Sequence, residues 1–235
     1  MDYFYAPPDK IGDGIAVIEG DELSHLVHVM RKKAGDEIVV VDGAGLAYRV
    51  VLESVSKRSA RGAIQDSHRW YHEPASSVTI AVGILKNPSR FDFLVEKVSE
   101  IGASEIVPLT TERTIPSHAK TERWQKLALS AMKQCGRSYL PKVKELASLD
   151  EVIGSSGSFK RKLIGHAEGE PFAQAASKDT TSTLILVGPE GGFSDEEVAR
   201  CVAAGFKSVS LGERRLRTET AAIAFASLLI LGSPR

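Results

Sequence analysis

The 235-residue sequence has only two cysteines, Cys135 and Cys201, and they form no CxxC pair. No cluster of histidines completes a zinc-ligand pattern with them, so we expect free thiols and no metal site. No apolar stretch approaches the roughly 20 residues needed to cross a bilayer, and the N-terminus lacks the pattern of a signal peptide. We therefore expect a cytoplasmic protein without a membrane partner. Thirty basic residues balance thirty acidic ones, which excludes a strongly basic coat for nucleic acid.

The first part of the chain is rich in short strand-like runs. Residues 1–72 contain EIVVVDG and AYRVVLESV, separated by glycine-rich turns, and one short helical stretch, ELSHLVHVM. This pattern predicts a small β-barrel. The segment HEPASS, residues 72–77, has the composition of a turn, so we place a domain boundary there and assign residues 73–235 to a second domain.

The second domain alternates strands with helices. The apolar run VTIAVGIL is followed by Asn87 and Pro88, which are typical of an N-cap and a first helical residue, and this helix is expected to end near Gly102. Further strands are predicted at EIVPL, KLIGH, TLILVG and FKSVSLG, with a helix at TERWQKLALSAMKQCG. Alternating strands and helices predict an α/β fold with a parallel sheet covered on both faces.

A glycine-rich loop, GPEGGFS, follows the strand TLILV. Gly188, Gly191 and Gly192 permit positive φ angles and let a ligand approach the backbone closely. Ser194 and Glu197 form a capping-box pattern for the next helix. Ligands of open α/β sheets bind at the carboxyl ends of strands, so the loop is a candidate site, with a tight structural turn as the alternative. It matches neither GK[ST] nor GxGxxG, the patterns that bind phosphate.

A second loop, SLGERRLRTET, also joins the end of a strand to a helix. It carries Arg214, Arg215 and Arg217, and either Thr218 or Thr220 is the expected N-cap of the helix. That helix is apolar almost all round, which predicts burial against the sheet or in a subunit interface. We expect the two loops to face each other.

Five segments, taken in order, resemble the ribosomal RNA small subunit methyltransferase E family. They are HLVHVMRKKAGDEIVVVDGAG, ILKNPSRFDFLVEKVSEIGASEIVPLTTERT, RWQKLALSAMKQCGRSYLP, LVGPEGGFSDEEV and SLGERRLRTETA. Glu213 and Arg215 depart from the proline and the aliphatic residue expected in the last motif, which concerns the fine shape of that loop. The resemblance covers nearly the whole chain.

This resemblance implies both an architecture and an activity. The architecture is a SPOUT-type methyltransferase domain with a trefoil knot, preceded by a PUA-like β-barrel that binds RNA. The activity is methyl transfer from S-adenosylmethionine to N3 of a specific uridine in the 16S ribosomal RNA of the small ribosomal subunit. The resemblance also implies a homodimer.

Under the same resemblance, the two loops hold S-adenosylmethionine. Leu211 and Leu216 would sandwich the adenine, and loop 163–168 would form a third wall. The full set of expected cofactor-binding residues is Leu163, Gly188, Pro189, Glu190, Gly191, Gly192, Leu211, Gly212, Leu216, Arg217 and Thr218. This cofactor has no phosphate, which agrees with a loop that lacks a phosphate-binding pattern.

Two residues are expected to act on the substrate. Arg217 would anchor the flipped uridine or its phosphate and stabilise developing negative charge, with a loop salt bridge as the alternative. Glu190 would accept a proton or orient the substrate, unless it merely caps the next turn.

Contact with RNA is expected from basic side chains. These are Arg31, Lys32 and Lys33 of the barrel, together with Arg137, which would neutralise phosphates; a solvated surface is the alternative. Two other functions stay open at this point. One is a non-catalytic RNA-binding factor for ribosome assembly, and the other is a nucleotide-dependent enzyme that uses the glycine loop for phosphate.

Overall fold

The computed structural model describes residues 3–175 and 182–232, which fall into two compact units. The first comprises Met1–Glu73 and Leu129–Leu140, and the second comprises Pro74–Ala128 and Pro141–Arg235. The predicted boundary after residue 72 assigns all of 73–235 to the second domain. Residues 129–140 belong instead to the first unit, where Met132 is fully buried beside Val39 and Val41. Residues 1–2, 176–181 and 233–235 of the predicted domains lie outside the described residues.

The first unit is built on a mostly antiparallel sheet. Within the described residues its strands are β1 (Tyr3–Tyr5), β2 (Ile11–Gly12), β3 (Ile15–Ile18), β4 (Glu37–Val41), β5 (Leu46–Val55) and β6 (Ala60–Arg69), in the order β1-β4-β5-β6-β3-β2. β1 and β4 are parallel, and the other neighbours are antiparallel. Because successive side chains alternate between faces, Ile18, Val50 and Leu52 enter one core.

A short helical segment lies between β3 and β4. It consists of α1 (Gly20–Ser24), which continues directly into a π-helix (His25–Val29), and it agrees with the prediction from ELSHLVHVM. Leu23 and Leu26 point into the core of the first unit. A 3-10 helix (Pro8–Lys10) precedes β2.

The second unit is an α/β structure with a parallel sheet. Its strands are β7 (Ser77–Gly83), β8 (Glu105–Thr110), β9 (Lys142–Val143), β10 (Ala147–Ser148), β11 (Arg161–Pro171), β12 (Ser182–Val187) and β13 (Lys207–Ser210). The order is β10-β8-β7-β12-β11-β13, with β9 beside β8, and each pairing among the described strands is parallel. The predicted α/β class is therefore confirmed.

Helices cover both faces of this sheet. They are α2 (Pro88–Ile101), α4 (Leu149–Ser155), α5 (Asp195–Ala203) and α6 (Thr218–Ile230), with a 3-10 helix (Ser156–Ser158) after α4. A further helix, α3 (Thr121–Cys135), begins in this unit, and its residues from Leu129 onward belong to the first unit. Ile164 of β11 packs in the cluster that includes α4 and α5. The next residue, Gly165, faces Phe225 of α6. Since adjacent strand residues point to opposite faces, α6 lies on the other side, where it packs with α2.

The helix starts follow local capping chemistry. The Asn87 side chain accepts a hydrogen bond from the Ser89 backbone N–H, and α2 ends at Gly102 with a φ of 121°. α5 begins with the predicted Ser194 and Glu197 capping box. α6 differs from the prediction, because Arg217 occupies the N-cap position in extended conformation and Thr218 is already helical. Within residues 3–175 and 182–232, no helix has the length and apolar character to cross a membrane.

Candidate functional site at the carboxyl edge of the parallel sheet

The loop between β12 and α5 folds tightly over the end of β7. A Cβ at Gly83 would lie 2.5 Å from the backbone nitrogen of Pro189, so only glycine permits this approach. A Cβ at Gly188 would lie 2.9 Å from the carbonyl carbon of Gly192, because the loop turns back on itself. Gly192 has a φ of 71°, in the left-handed region that favours glycine. Its N–H donates to the Pro189 carbonyl over 2.9 Å.

Two polar contacts tie this loop to the neighbouring strand ends. The Glu190 carboxylate accepts a hydrogen bond from the backbone N–H of Lys86, with an Oε1–N distance of 3.1 Å. Arg113 Nη1 donates to the Gly191 carbonyl over 2.9 Å. Lys86 follows β7 and Arg113 follows β8, so the segments after three adjacent strands meet at one edge. Glu190 thus helps to hold the loop in place, although the residue itself is exposed.

A buried carboxylate completes this anchoring. Glu197 Oε2 accepts from the Ser194 N–H over 2.9 Å, as the capping box requires, and Oε1 accepts from the Glu112 N–H over 2.8 Å. One side chain therefore caps α5 and also holds the segment after β8. The capping role is visible in the sequence, whereas the contact with Glu112 is not, because it joins residues 85 positions apart.

The second loop, residues 211–217, follows β13 at the same edge. Gly212 has a φ of 99°, and Leu216 exposes 38% of its surface. Arg217 is exposed at the N-cap position of α6, and its side chain makes no capping hydrogen bond. Thr218 is buried. Leu216 and Arg217 thus present an apolar group and a cation side by side at the start of α6.

β11 lies between β12 and β13, and it separates the two loops. Neighbouring strands lie about 4.8 Å apart, so the ends of β12 and β13 are roughly 10 Å apart. The pairing of β11 with β13 shifts between Gly165 and Glu170, and residues 166–169 leave the ladder there. The two loops and this bulge therefore lie along the same carboxyl edge of the sheet, with β11 between the loops.

The structure corrects the expected role of Leu163. This residue is fully buried in β11, where it pairs with Ile185 of β12 and Lys207 of β13. Its side chain is therefore part of the sheet and cannot form a loop wall. The irregular segment that could do so begins after Gly165, beyond the first strand pairing.

The structure also corrects the expected RNA contact of Arg137. Its guanidinium donates to Glu73, with an Nη2–Oε2 distance of 2.7 Å, and both side chains are only 4% exposed. Glu73 Oε1 also accepts from the N–H groups of Ser138 and Tyr139. This ion pair is internal to the first unit. Arg137 therefore does not offer its charge to a phosphate.

The basic triplet of the first unit lies in a surface turn. Arg31 has a φ of 54°, and both Arg31 and Lys33 are exposed, while Lys32 is half-buried. The Lys33 N–H donates to Asp36 Oδ2 over 2.8 Å, which fixes the turn. In the part of the chain that the structure describes, no group of three His, Cys, Asp or Glu residues could hold a metal ion.

Comparison with known proteins assigns a class to this architecture. A family model described as an RNA methyltransferase domain matches residues 72–230, and one described as an RNA methyltransferase PUA domain matches residues 18–65. The chain is 31% identical over 218 residues to the ribosomal RNA small subunit methyltransferase E of Bacillus subtilis. That alignment covers 87% of this chain and 85% of the relative.

Solved structures agree over nearly the whole chain. A ribosomal RNA small subunit methyltransferase E from Neisseria gonorrhoeae, bound to S-adenosyl methionine, is 29% identical with a TM-score of 0.87, covering 97% of this chain and 96% of that chain. A probable rRNA-methyltransferase from Porphyromonas gingivalis is 32% identical with a TM-score of 0.88, covering 97% of both. The fold is that of an RNA methyltransferase with a PUA domain. The chain belongs to the ribosomal RNA small subunit methyltransferase E family, as the five segments indicated.

Proposed function

We propose that the protein transfers a methyl group from S-adenosylmethionine to N3 of a specific uridine in 16S ribosomal RNA of the small ribosomal subunit. Methylation of ribosomal RNA is the activity named for its relatives, and the Neisseria gonorrhoeae relative is bound to S-adenosyl methionine. The observation that carries the proposal is the glycine loop 188–192, which Gly83 allows to fold over the end of β7 at the same carboxyl edge as loop 211–217. The trefoil knot remains a prediction.

The residues of these two loops fit this cofactor. Its adenine needs apolar contact on its faces and a few hydrogen bonds at its edge, and Leu211 and Leu216 supply the apolar contact. Backbone groups of Gly188, Gly212 and Leu216 are candidates for reading the edge. Further candidate contacts are Pro189, Glu190, Gly191, Gly192, Arg217 and Thr218. When bound, the cofactor supplies an electrophilic methyl group on a sulfonium.

The chain has to stabilise a negative charge, because uracil N3 must lose a proton before it can accept a methyl group. Arg217 is suited to this task, since its exposed guanidinium lies at the positive end of α6. Glu190 is the candidate proton acceptor. Its Oε1 is engaged by the Lys86 N–H, which leaves the second carboxylate oxygen as the candidate base.

Contact with ribosomal RNA is assigned to the first unit. The exposed Arg31 and Lys33, with Lys32 between them, can neutralise phosphates without reading sequence. The same unit has a cleft of about 660 Å³, lined by Leu23, Val27, Val55 and Lys57 among others. A cleft lined by apolar side chains and a lysine is a candidate site for an unpaired nucleotide.

We also propose a homodimer that acts in the cytoplasm, where its ribosomal substrate is made. α2 and α6 pack together, and they expose Phe93, Leu228 and the adjoining Leu231 by 50%, 47% and 69%. Large apolar side chains exposed on packed helices are typical of a protein interface.

Calorimetric titration with S-adenosylmethionine and with ATP tests the cofactor, and transfer to unmodified small subunits tests the activity. We expect binding of S-adenosylmethionine only, at one equivalent per chain or fewer, followed by methylation of the RNA. RNA binding without cofactor binding would indicate a non-catalytic assembly factor. ATP binding would indicate a nucleotide-dependent enzyme.

A further inference from the structure

Glu219 is a buried carboxylate in the first turn of α6. The residue is only 8% exposed, and its Oε2 atom has no hydrogen-bond partner among the described residues. Arg90 of α2 faces the other oxygen, with an Nε–Oε1 distance of 3.8 Å. That distance is too long for a hydrogen bond, so the two side chains are near each other without being hydrogen-bonded.

Burial of this carboxylate is unfavourable for the fold alone. A carboxylate oxygen taken out of water without a donor loses its solvation, and such groups are rare in native proteins. Glu219 is also the only ionisable residue between Thr218 and Ile230, and the buried residues after it are all apolar: Ala222, Phe225, Ala226, Leu229 and Ile230. The helix dipole favours an acidic group in the first turn, but it does not require that group to be buried. A functional partner accounts for both the charge and the burial.

The pair lies at the candidate site. Arg90 is in the first turn of α2, just after Lys86, whose N–H binds Glu190 of the glycine loop. Glu219 is two residues after Arg217, the proposed anchor of the substrate. The Arg90 side chain remains 37% exposed, whereas the Glu219 side chain is 10% exposed. The guanidinium can therefore reach solvent or substrate while the carboxylate stays behind it.

We propose that Arg90 contacts the target uracil during methyl transfer and that Glu219 is the positioning residue that orients its guanidinium. This inference rests on uridine N3 as the target. When N3 gives up its proton to a base, negative charge spreads onto the uracil oxygens O2 and O4. The charge is neutralised as N3 bonds to the methyl carbon and the sulfur–methyl bond breaks. Until the methyl group is transferred, Arg90 donates a hydrogen bond to O2 or O4 and so stabilises the negative charge.

The chemistry of arginine suits this double contact. A guanidinium has five donors in a rigid plane, so one edge can face a carboxylate while another faces a second acceptor. Catalytic hydrogen bonds are often long before the substrate binds and shorten in the complex. The 3.8 Å separation between Arg90 and Glu219 agrees with a pair that closes when uracil arrives. A donor aimed at a developing oxyanion typically accelerates a reaction by about 10²–10³-fold.

Single-turnover transfer to small subunits, with cofactor and RNA saturating, tests the inference. We expect Arg90→Ala to lower the rate by about 10²-fold, with Arg90→Lys recovering part of it. Glu219→Gln, which keeps the shape and removes the charge, should lower the rate while cofactor affinity stays within about threefold and the melting temperature does not fall. The double variant should be no slower than Arg90→Ala alone, because both changes act through one guanidinium.

A pH profile separates this role from a structural one. Without the Arg90 cation, N3 of the bound uridine ionises at higher pH, so the rate of Arg90→Ala should keep rising where the wild-type rate has levelled off. Arg200→Ala is the matched control, because Arg200 forms an exposed ion pair with Asp150 in the same unit. It should retain the wild-type rate and profile.

Several outcomes would overturn the inference. If Arg90→Ala and Arg90→Lys both kept the wild-type rate and pH profile, Arg90 would have no role in methyl transfer. Independent, multiplying effects of Arg90→Ala and Glu219→Gln would show that the glutamate does not act through the arginine. These failures differ from failure of the proposed function, which would appear as a wild-type product other than 3-methyluridine.

Discussion

Gly83 and Pro189 are in contact so close that a Cβ on residue 83 would lie 2.5 Å from the proline nitrogen. β7 and β12 are parallel neighbours, and Val82 is the register partner of Val187. The chain therefore turns back over the end of β7 as soon as β12 ends. This contact places the glycine loop, and with it one wall of the proposed cofactor site.

Gly83→Val tests the importance of that contact. The added side chain must push the loop away, so we expect S-adenosylmethionine affinity to fall at least about tenfold, or about 1.4 kcal/mol. Overpacking should also lower the free energy of unfolding by about 1–3 kcal/mol. Calorimetry and urea unfolding measure the two effects. Gly154→Ala is the control, since a Cβ there meets no atom within 4 Å. Unchanged affinity in Gly83→Val would show that the loop position does not matter for the cofactor.

Arg217→Ala separates anchoring of the substrate from binding of the cofactor. Removal of an exposed guanidinium should leave cofactor affinity within a few-fold, yet single-turnover transfer should slow by about 10²-fold, because a charge-assisted contact is lost. Arg200→Ala serves again as an arginine control outside the site. An Arg217→Ala protein that transfers at the wild-type rate, or that no longer binds cofactor, contradicts the assigned role.

The double variant Arg31→Ala, Lys33→Ala tests the RNA contact of the first unit. Each lost phosphate contact reduces the slope of log affinity against log salt by about 0.9, so we expect the slope to fall by about 2. The rate at saturating RNA should stay unchanged. The double variant Lys160→Ala, Lys207→Ala is a charge-matched control. Both lysines are exposed, and both lie at the amino ends of strands in the second unit, at the edge of the sheet away from the two loops. Equal salt slopes in the two double variants would show that the basic triplet is a solvated surface with no role in RNA binding.

Glu73→Gln tests the buried ion pair of the first unit. The change leaves the Arg137 guanidinium buried without its counter-charge, which should lower the free energy of unfolding by about 3–5 kcal/mol. Asp150→Asn, which breaks the exposed pair with Arg200, should cost no more than about 1 kcal/mol. Urea unfolding compares the two variants. Similar small losses would mean that Arg137 is readily solvated, and its assignment as a buried structural residue would then be wrong.

Local chemistry was predictable from the sequence, and distant pairing was not. The starts of α2 and α5 were correct because Asn87, Ser194 and Glu197 act on backbone groups within three residues. Arg137 was assigned wrongly because its partner Glu73 lies 64 positions away, so nothing near it in the sequence indicates burial. The strand at KLIGH was predictable from its sequence, but the pairing of Leu163 with Ile185, which excludes it from the implied loop 163–168, depends on sheet order.

The candidate site shows the same division. The glycines at 188 and 192 were expected, since strand ends followed by glycine favour close backbone approach. Arg113 was missed, because its bond to the Gly191 carbonyl joins residues 78 positions apart. The contact between Arg90 and Glu219 likewise exists only once α2 and α6 are packed together.

Mass spectrometry of nucleosides from treated 16S ribosomal RNA tests the central claim most directly. Unmodified small subunits would be incubated with the protein and isotopically labelled S-adenosylmethionine, and the RNA then digested and fragmented. We predict labelled 3-methyluridine at a single position, and no label with the Arg217→Ala protein on the same time scale. Label on another base, on a ribose or on no nucleoside at all would contradict the proposed reaction.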